Sequence, residues 1–206
     1  MKPKRIIVVF VILIAMMGSL YAALPYSSSL DLAGDITSAL SLVAPAALIL
    51  QAPPADYVTL GASWSATMLT SYGVRTLLKE TVVRARPYVE QTPRPTDTSD
   101  DYKSFPSGHT LMAFSSAAYL QTMSSIYYPH SKGVRIATIA GWTAATATGV
   151  LRVVSANHHL TDVLAGAAIG SALGFLGPWI TSKITADNPK APTLMVGQTI
   201  GVQVGF

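Results

Sequence analysis

The chain has no cysteine among its 206 residues. That excludes a disulfide framework, a thiolate metal site and a cysteine nucleophile. Charge is scarce too. Asp, Glu, Lys and Arg make up 12% of the sequence, against about a quarter of an average soluble domain. Half the residues are hydrophobic, and this pairing of apolar abundance with little charge points to a membrane protein. No basic stripe with interleaved aromatics is present, and the formal charge is only +4. A nucleic-acid partner is therefore not expected, whereas a positive-inside membrane protein or an anion-binding pocket fits. No repeat of fixed period is visible.

What is present is a series of apolar segments separated by polar breaks. Lys2, Lys4 and Arg5 precede the apolar run from Ile6 to Met17. Residues 1–24 read either as a cleaved signal peptide or as a first transmembrane helix, and both put the following chain outside the cytoplasm. Pro25 to Asp35 is polar and turn-rich. Ile36 to Leu50 is apolar, and Leu30 to Ala52 suffices for a tilted span. Gln51 to Asp56 is a break. Tyr57 to Leu78 follows, rich in the small residues that suit close helix packing in lipid. Val83 to Ser104 is the most polar stretch and reads as an external loop. Gly108 to Tyr128, Val134 to Val154 and Leu160 to Ile180 are three further long segments. Lys132 and Arg135 mark the connection between the first two of these as cytoplasmic. The tail, residues 186–206, ends in an alternating, β-like stretch. The expected domain is thus an all-α helical bundle over residues 25–185, with six transmembrane helices once the N-terminal segment is counted.

This topology places three polar blocks on one outer side of the membrane. The first is Lys79 with Arg86-Pro87. An ammonium and a guanidinium two helical turns apart can flank one anion. The blander reading is a juxtamembrane basic cluster contacting lipid headgroups, and Arg75 and Arg84 are assigned to it. The second block is Pro106-Ser107-Gly108-His109, where Ser107 suits a helix N-cap and Gly108 lets an anion approach the backbone. The third is Arg152, then His158 and Asp162. If a helix starts near Asn157, Asp162 lies one turn after His158, where a carboxylate can hold one ring nitrogen and leave the other free as a nucleophile. His158 and Asp162 could instead only satisfy each other, or bind a metal, though no further His/Asp/Glu cluster accompanies them. His159 reads as interfacial and His130 as incidental. Together the blocks make a phosphoryl-transfer site in which cations and N–H donors neutralise the transferring group.

The order and spacing of these blocks resemble the type 2 phosphatidic acid phosphatase superfamily, which includes bacterial non-specific acid phosphatases. Its pattern is Lys-x6-Arg-Pro, then Pro-Ser-Gly-His, then Ser-Arg-x5-His-x3-Asp. The resemblance implies that His158 is the nucleophile, oriented by Asp162, and that His109 is the general acid. It implies that Lys79, Arg86, Ser107, Gly108 and Arg152 bind the substrate phosphate. It further implies that no metal or other cofactor is needed, and that the membrane branch carries its site at the outer face of a six-helix bundle. The family's serine before the arginine is Leu151 here, which removes one hydroxyl donor and points to reduced or retuned activity, not to its loss. The expected protein is an inner-membrane phosphatase acting at the periplasmic face on a lipid phosphate or pyrophosphate. A soluble periplasmic acid phosphatase and a non-catalytic lipid-phosphate binding or transport protein are the alternatives.

Overall fold

The structure, a computed structural model, describes residues 24–187. The readings of the N-terminal segment as leader or first span, and of the tail as β-like, fall outside these residues. The described chain is all-helical. Five α-helices form in order: α1 (Ser28–Val43), α2 (Tyr57–Thr81), α3 (Gly108–Tyr127), α4 (Lys132–Val154) and α5 (Leu160–Asp187). Short 3-10 turns at Ala44–Leu48, Pro54–Asp56 and Pro87–Glu90 join them. Five of the six expected helices are therefore described. Among the described residues, two segments, Ser28–Leu48 and Leu160–Lys183, are long and apolar enough to cross a membrane.

Helix α1 begins earlier than the sequence reading placed it. Ser27 caps it by accepting from the Leu30 N–H, and Asp31 sits in its first turn. A hydroxyl cap and an early carboxylate both suit a helix N-terminus. The stretch up to Asp35, read as turn, is therefore helical.

Helix α3 is the central post and packs against all four other helices. Leu111, Ala113, Ala117, Ala118, Tyr119 and Leu120 along it have no exposed surface. Small hydroxyls tie it to its neighbours. Ser41 Oγ of α1 donates to the Ala113 carbonyl at 2.9 Å, Ser116 Oγ donates back to the Ser41 carbonyl at 3.0 Å, and Ser71 and Ser115 pair at 2.7 Å. Such bonds satisfy buried hydroxyls where no water reaches.

The α3–α5 contact is the tightest in the bundle. Gly166, Gly170 and Gly174 recur every four residues along α5 and present one face to α3. A Cβ at Gly166 would stand 2.7 Å from the Ser107 carbonyl oxygen, and Cβ atoms at Gly170 and Gly174 would overlap the Leu111 and Ser115 carbonyls. Backbone thus packs directly on backbone, which fixes how the start of α3 meets the start of α5. By contrast, a Cβ at Gly61 or Gly73 would meet nothing within 4 Å. Gly170→Val is expected to destabilise the fold by about 1–3 kcal/mol or more through overpacking. Gly73→Ala is expected to be neutral or slightly stabilising. Thermal unfolding of the two purified variants in detergent, beside the unaltered protein, checks both.

Candidate active site

The three sequence blocks meet where α2 ends and where α3 and α5 begin. The chain from Val82 to Ser107 closes over this end of the bundle. Its base is pinned by the Arg84 N–H to the Tyr102 carbonyl at 2.9 Å and by the Ser104 N–H to the Arg84 carbonyl at 3.0 Å. This brings Arg84, Arg86, Lys103 and Ser104 to the helix ends.

His158 is 1% exposed. It precedes α5, in a connection where Ala156 takes the left-handed backbone conformation. The His158 N–H donates to the Arg152 carbonyl at 3.1 Å. Its ring Nδ1 lies 2.8 Å from the Ser104 carbonyl oxygen. A carbonyl only accepts, so Nδ1 carries the hydrogen and Nε2 keeps its lone pair. Burial first, then the charges of Arg86, Lys79 and Arg152, holds the His158 ring well below the ordinary histidine range. The ring is neutral near pH 7, as a nitrogen nucleophile must be.

Asp162 has no exposed surface, but its contacts differ from those the four-residue spacing implied. Its Oδ2 is 4.0 Å from His158 Nδ1, beyond hydrogen-bond reach. The geometric reason is that α5 starts at Leu160 and not near Asn157, so the helical i to i+4 relation does not apply. The carboxylate instead accepts from Arg84 at 2.5 Å, from Ser104 Oγ at 2.7 Å and from the His159 N–H at 2.9 Å. It reaches His158 indirectly, by fixing the serine whose carbonyl holds the ring. Arg84, assigned from sequence to a headgroup cluster, is the partner of the buried carboxylate. Ser104 was not singled out at all. The signal in the sequence was an Asp within an apolar segment, in need of hydrogen-bond donors, with a serine in the preceding polar loop.

The expected phosphate ligands fall into two groups. Lys79 is 7% exposed and donates to the Lys103 carbonyl at 2.5 Å. Burial, followed by the neighbouring Arg86 guanidinium, pulls its ammonium down to about 8. Arg86 pairs with the Asp100 carboxylate at 3.0 Å and reaches Asn157 Oδ1 at 3.4 Å. Arg152, 3% exposed, is held by Asp31 and Asp35 of α1, while its Nε has no acceptor. Gly34 lies between those two aspartates, and a Cβ there would stand 3.1 Å from Arg152 Nε. Asp31, Gly34 and Asp35 thus form a one-turn seat for the guanidinium. Neither aspartate was expected at the site, because residues 25–35 read as a polar turn.

The second block forms the start of α3 as expected, with two local differences. Ser107 occupies the cap position with extended backbone, but its hydroxyl pairs with Thr110 Oγ1 at 2.9 Å instead of capping a backbone N–H. Its own N–H donates to the Asp162 carbonyl at 3.0 Å. Gly108 leaves room for the Arg75 side chain, whose Nε a Cβ there would overlap. His109 is half-exposed at the mouth, with Nε2 3.2 Å from Asp35 Oδ1. The His159 ring, by contrast, sits against the Ala85 carbonyl at 3.1 Å, apart from these groups. Among the described residues no cluster of three or more His, Cys, Asp or Glu has the arrangement to hold a metal ion.

Comparison with known proteins bears on this arrangement. The lipid A 1-phosphatase of Porphyromonas gingivalis is 36% identical over 125 residues, covering 61% of this chain and 26% of that protein. The chain thus matches about a quarter of that relative's length. A crystal structure of a transmembrane PAP2 type phosphatidylglycerolphosphate phosphatase from Bacillus subtilis superposes with a TM-score of 0.46 at 21% identity, covering 86% of this chain and 98% of the other. A sequence model of the PAP2 superfamily matches residues 61–186. That segment is more than half the chain and contains all three motif blocks, and the chain therefore belongs to the PAP2 superfamily.

Proposed function

We propose that the chain is a metal-independent phosphatase that hydrolyses a lipid phosphate or pyrophosphate at the periplasmic face of the inner membrane, through a phosphohistidine intermediate. The observation that carries this reading is the buried, neutral His158 with Nδ1 hydrogen-bonded to the Ser104 carbonyl. Nε2 attacks the phosphorus in line, and the bond to the leaving oxygen breaks. His109, at the exposed mouth, protonates that oxygen. It then takes a proton from the water that hydrolyses the phosphohistidine and releases inorganic phosphate. Lys79, Arg86 and the backbone at Ser107 and Gly108 neutralise the equatorial oxygens. Arg152 joins them by exchanging an aspartate oxygen for a phosphate oxygen. Asp162 acts as a positioning residue through Ser104.

The membrane setting is supported by the outward surface. Leu32, Ile36 and Leu40 of α1, Leu69 of α2, Ile136 and Ile139 of α4, and Leu176 and Trp179 of α5 are all exposed. Apolar surface on four helices of one bundle is a lipid-facing pattern. Lys132 and Arg135, at the far end of α4 from Arg152, fit a cytoplasmic side opposite the site. Carbonate extraction of membranes is expected to leave the protein in the pellet. Release without detergent would favour the soluble acid phosphatase alternative.

With a panel of lipid phosphates, His158→Ala is expected to abolish phosphate release. His109→Ala is expected to lower it by about 100- to 10,000-fold, the usual worth of a proton-transfer group. EDTA is expected to leave turnover unchanged. Full activity in His158→Ala would refute the nucleophile, and strict dependence on added divalent metal would refute metal independence. A pH profile tests Lys79. An ammonium lowered to about 8 is charged below that pH and neutral above it. In the free enzyme kcat/KM should therefore fall as pH rises through about 8, and Lys79→Gln should remove that limb along with most of the activity. A flat profile to pH 9.5 in the unaltered protein would count against Lys79 as a phosphate ligand.

A further inference from the structure

The cations at this end of the bundle are not equivalent. Arg84 is paired with Asp162, Arg86 with Asp100, Arg94 with Asp101, Lys103 with Glu80, and Arg152 with Asp31 and Asp35. Among the described residues here, Lys79 and Arg75 alone have no carboxylate within ion-pair distance. Both lie on α2, four residues and so one turn apart on the same face. Lys79 is anchored to the Lys103 carbonyl. Arg75 lies with its guanidinium 5.2 Å from the Tyr72 ring centre and its Nε in the space that a Gly108 side chain would fill. It acts electrostatically on both Lys79 and His109. This half-buried guanidinium, with an aromatic ring and no carboxylate beside it, stands between Lys79 and the start of α3, where it can take an anion.

Its depth says which anion. Helix α2 ends beside the site at Thr81. At about 1.5 Å rise per residue, the Arg75 backbone lies about 6 Å further into the bundle than that of Lys79, and its side chain reaches Gly108 at the start of α3. A lipid whose terminal phosphorus faces His158 keeps its tail on the bundle side. The part of the substrate that Arg75 meets is therefore the link between terminal phosphate and tail.

We propose that Arg75 is a specificity-determining residue that binds the second phosphoryl group of a lipid diphosphate, the group nearer the tail. This rests on the phosphatase reading above. In the reaction the His158 Nε2–phosphorus bond forms and the bond from the terminal phosphorus to the bridging oxygen breaks. The lipid monophosphate leaves with the bonding electron pair, and His109 supplies a proton. Water then cleaves the phosphohistidine to inorganic phosphate. Charge develops on the leaving phosphate as the bridge breaks, and a guanidinium placed there stabilises that step. A lipid monophosphate presents no such charge to Arg75.

The test uses the full chain in detergent with farnesyl diphosphate and farnesyl monophosphate, which share one tail. The unaltered protein is expected to prefer the diphosphate in kcat/KM. Arg75→Ala should lose about 10- to 100-fold with the diphosphate, the range for a charged hydrogen bond. It should lose no more than about threefold with the monophosphate, since that substrate lacks the anion Arg75 binds. Arg75→Lys should recover part of the diphosphate rate, because it keeps the charge without the fork. Monophosphate turnover in the same preparation reports that the variant is folded. Equal losses on both substrates, or an unchanged diphosphate rate in Arg75→Ala, would overturn the assignment while leaving the phosphatase intact. Absence of turnover of either substrate by the unaltered protein would bring down the phosphatase reading and this one with it.

Discussion

The structure depends on one buried carboxylate. Asp162 has no exposed surface and receives three donors from three places in the chain: the Arg84 guanidinium, the Ser104 hydroxyl and the His159 N–H. An ion taken from water costs several kcal/mol unless its lone pairs are satisfied, and here three donors, one of them a guanidinium, satisfy them. The same residue's backbone carbonyl takes the Ser107 N–H. The starts of α3 and α5 and the loop above them are thereby joined at one residue. The glycine face of α5 makes this possible by letting the two helix backbones touch.

From that joint the histidine follows. Ser104 is held by Asp162, its carbonyl fixes the His158 ring, and the tautomer is set without any direct bond between His158 and Asp162. The acceptor at Nδ1 is a neutral carbonyl, and the carboxylate stands one residue further away, holding that carbonyl's own residue in place. Burial, and after it the surrounding cations, holds the ring neutral.

Much of this was legible in the sequence, and the illegible part has a common cause. Apolar runs between polar breaks located the helical segments, and motif spacing located Lys79, Arg86, Ser107–His109, Arg152, His158 and Asp162 in one region. These signals run along the chain. The contacts that give the residues their environment run across it. Arg84 meets Asp162 from 78 positions away, and Asp31 meets Arg152 from 121. Nothing in the local pattern around Arg84 or Asp31 separates them from ordinary surface charge. The spacing from His158 to Asp162 misled for a different reason. Four residues mean one turn only inside a helix, and the left-handed backbone at Ala156 and the delayed start of α5 put His158 before it. The polar look of residues 25–35 likewise hid a helix whose polar face is turned to a buried arginine.

The seat that α1 makes for Arg152 has a consequence for where the chain can be cut. The family-matched segment starts at residue 61, and both aspartates lie before it. A fragment cut to that segment would carry an almost fully buried guanidinium with neither of its counter-ions. The family-matched helices therefore do not carry the whole of the site's charge balance, and α1 belongs to the site as well as to the bundle.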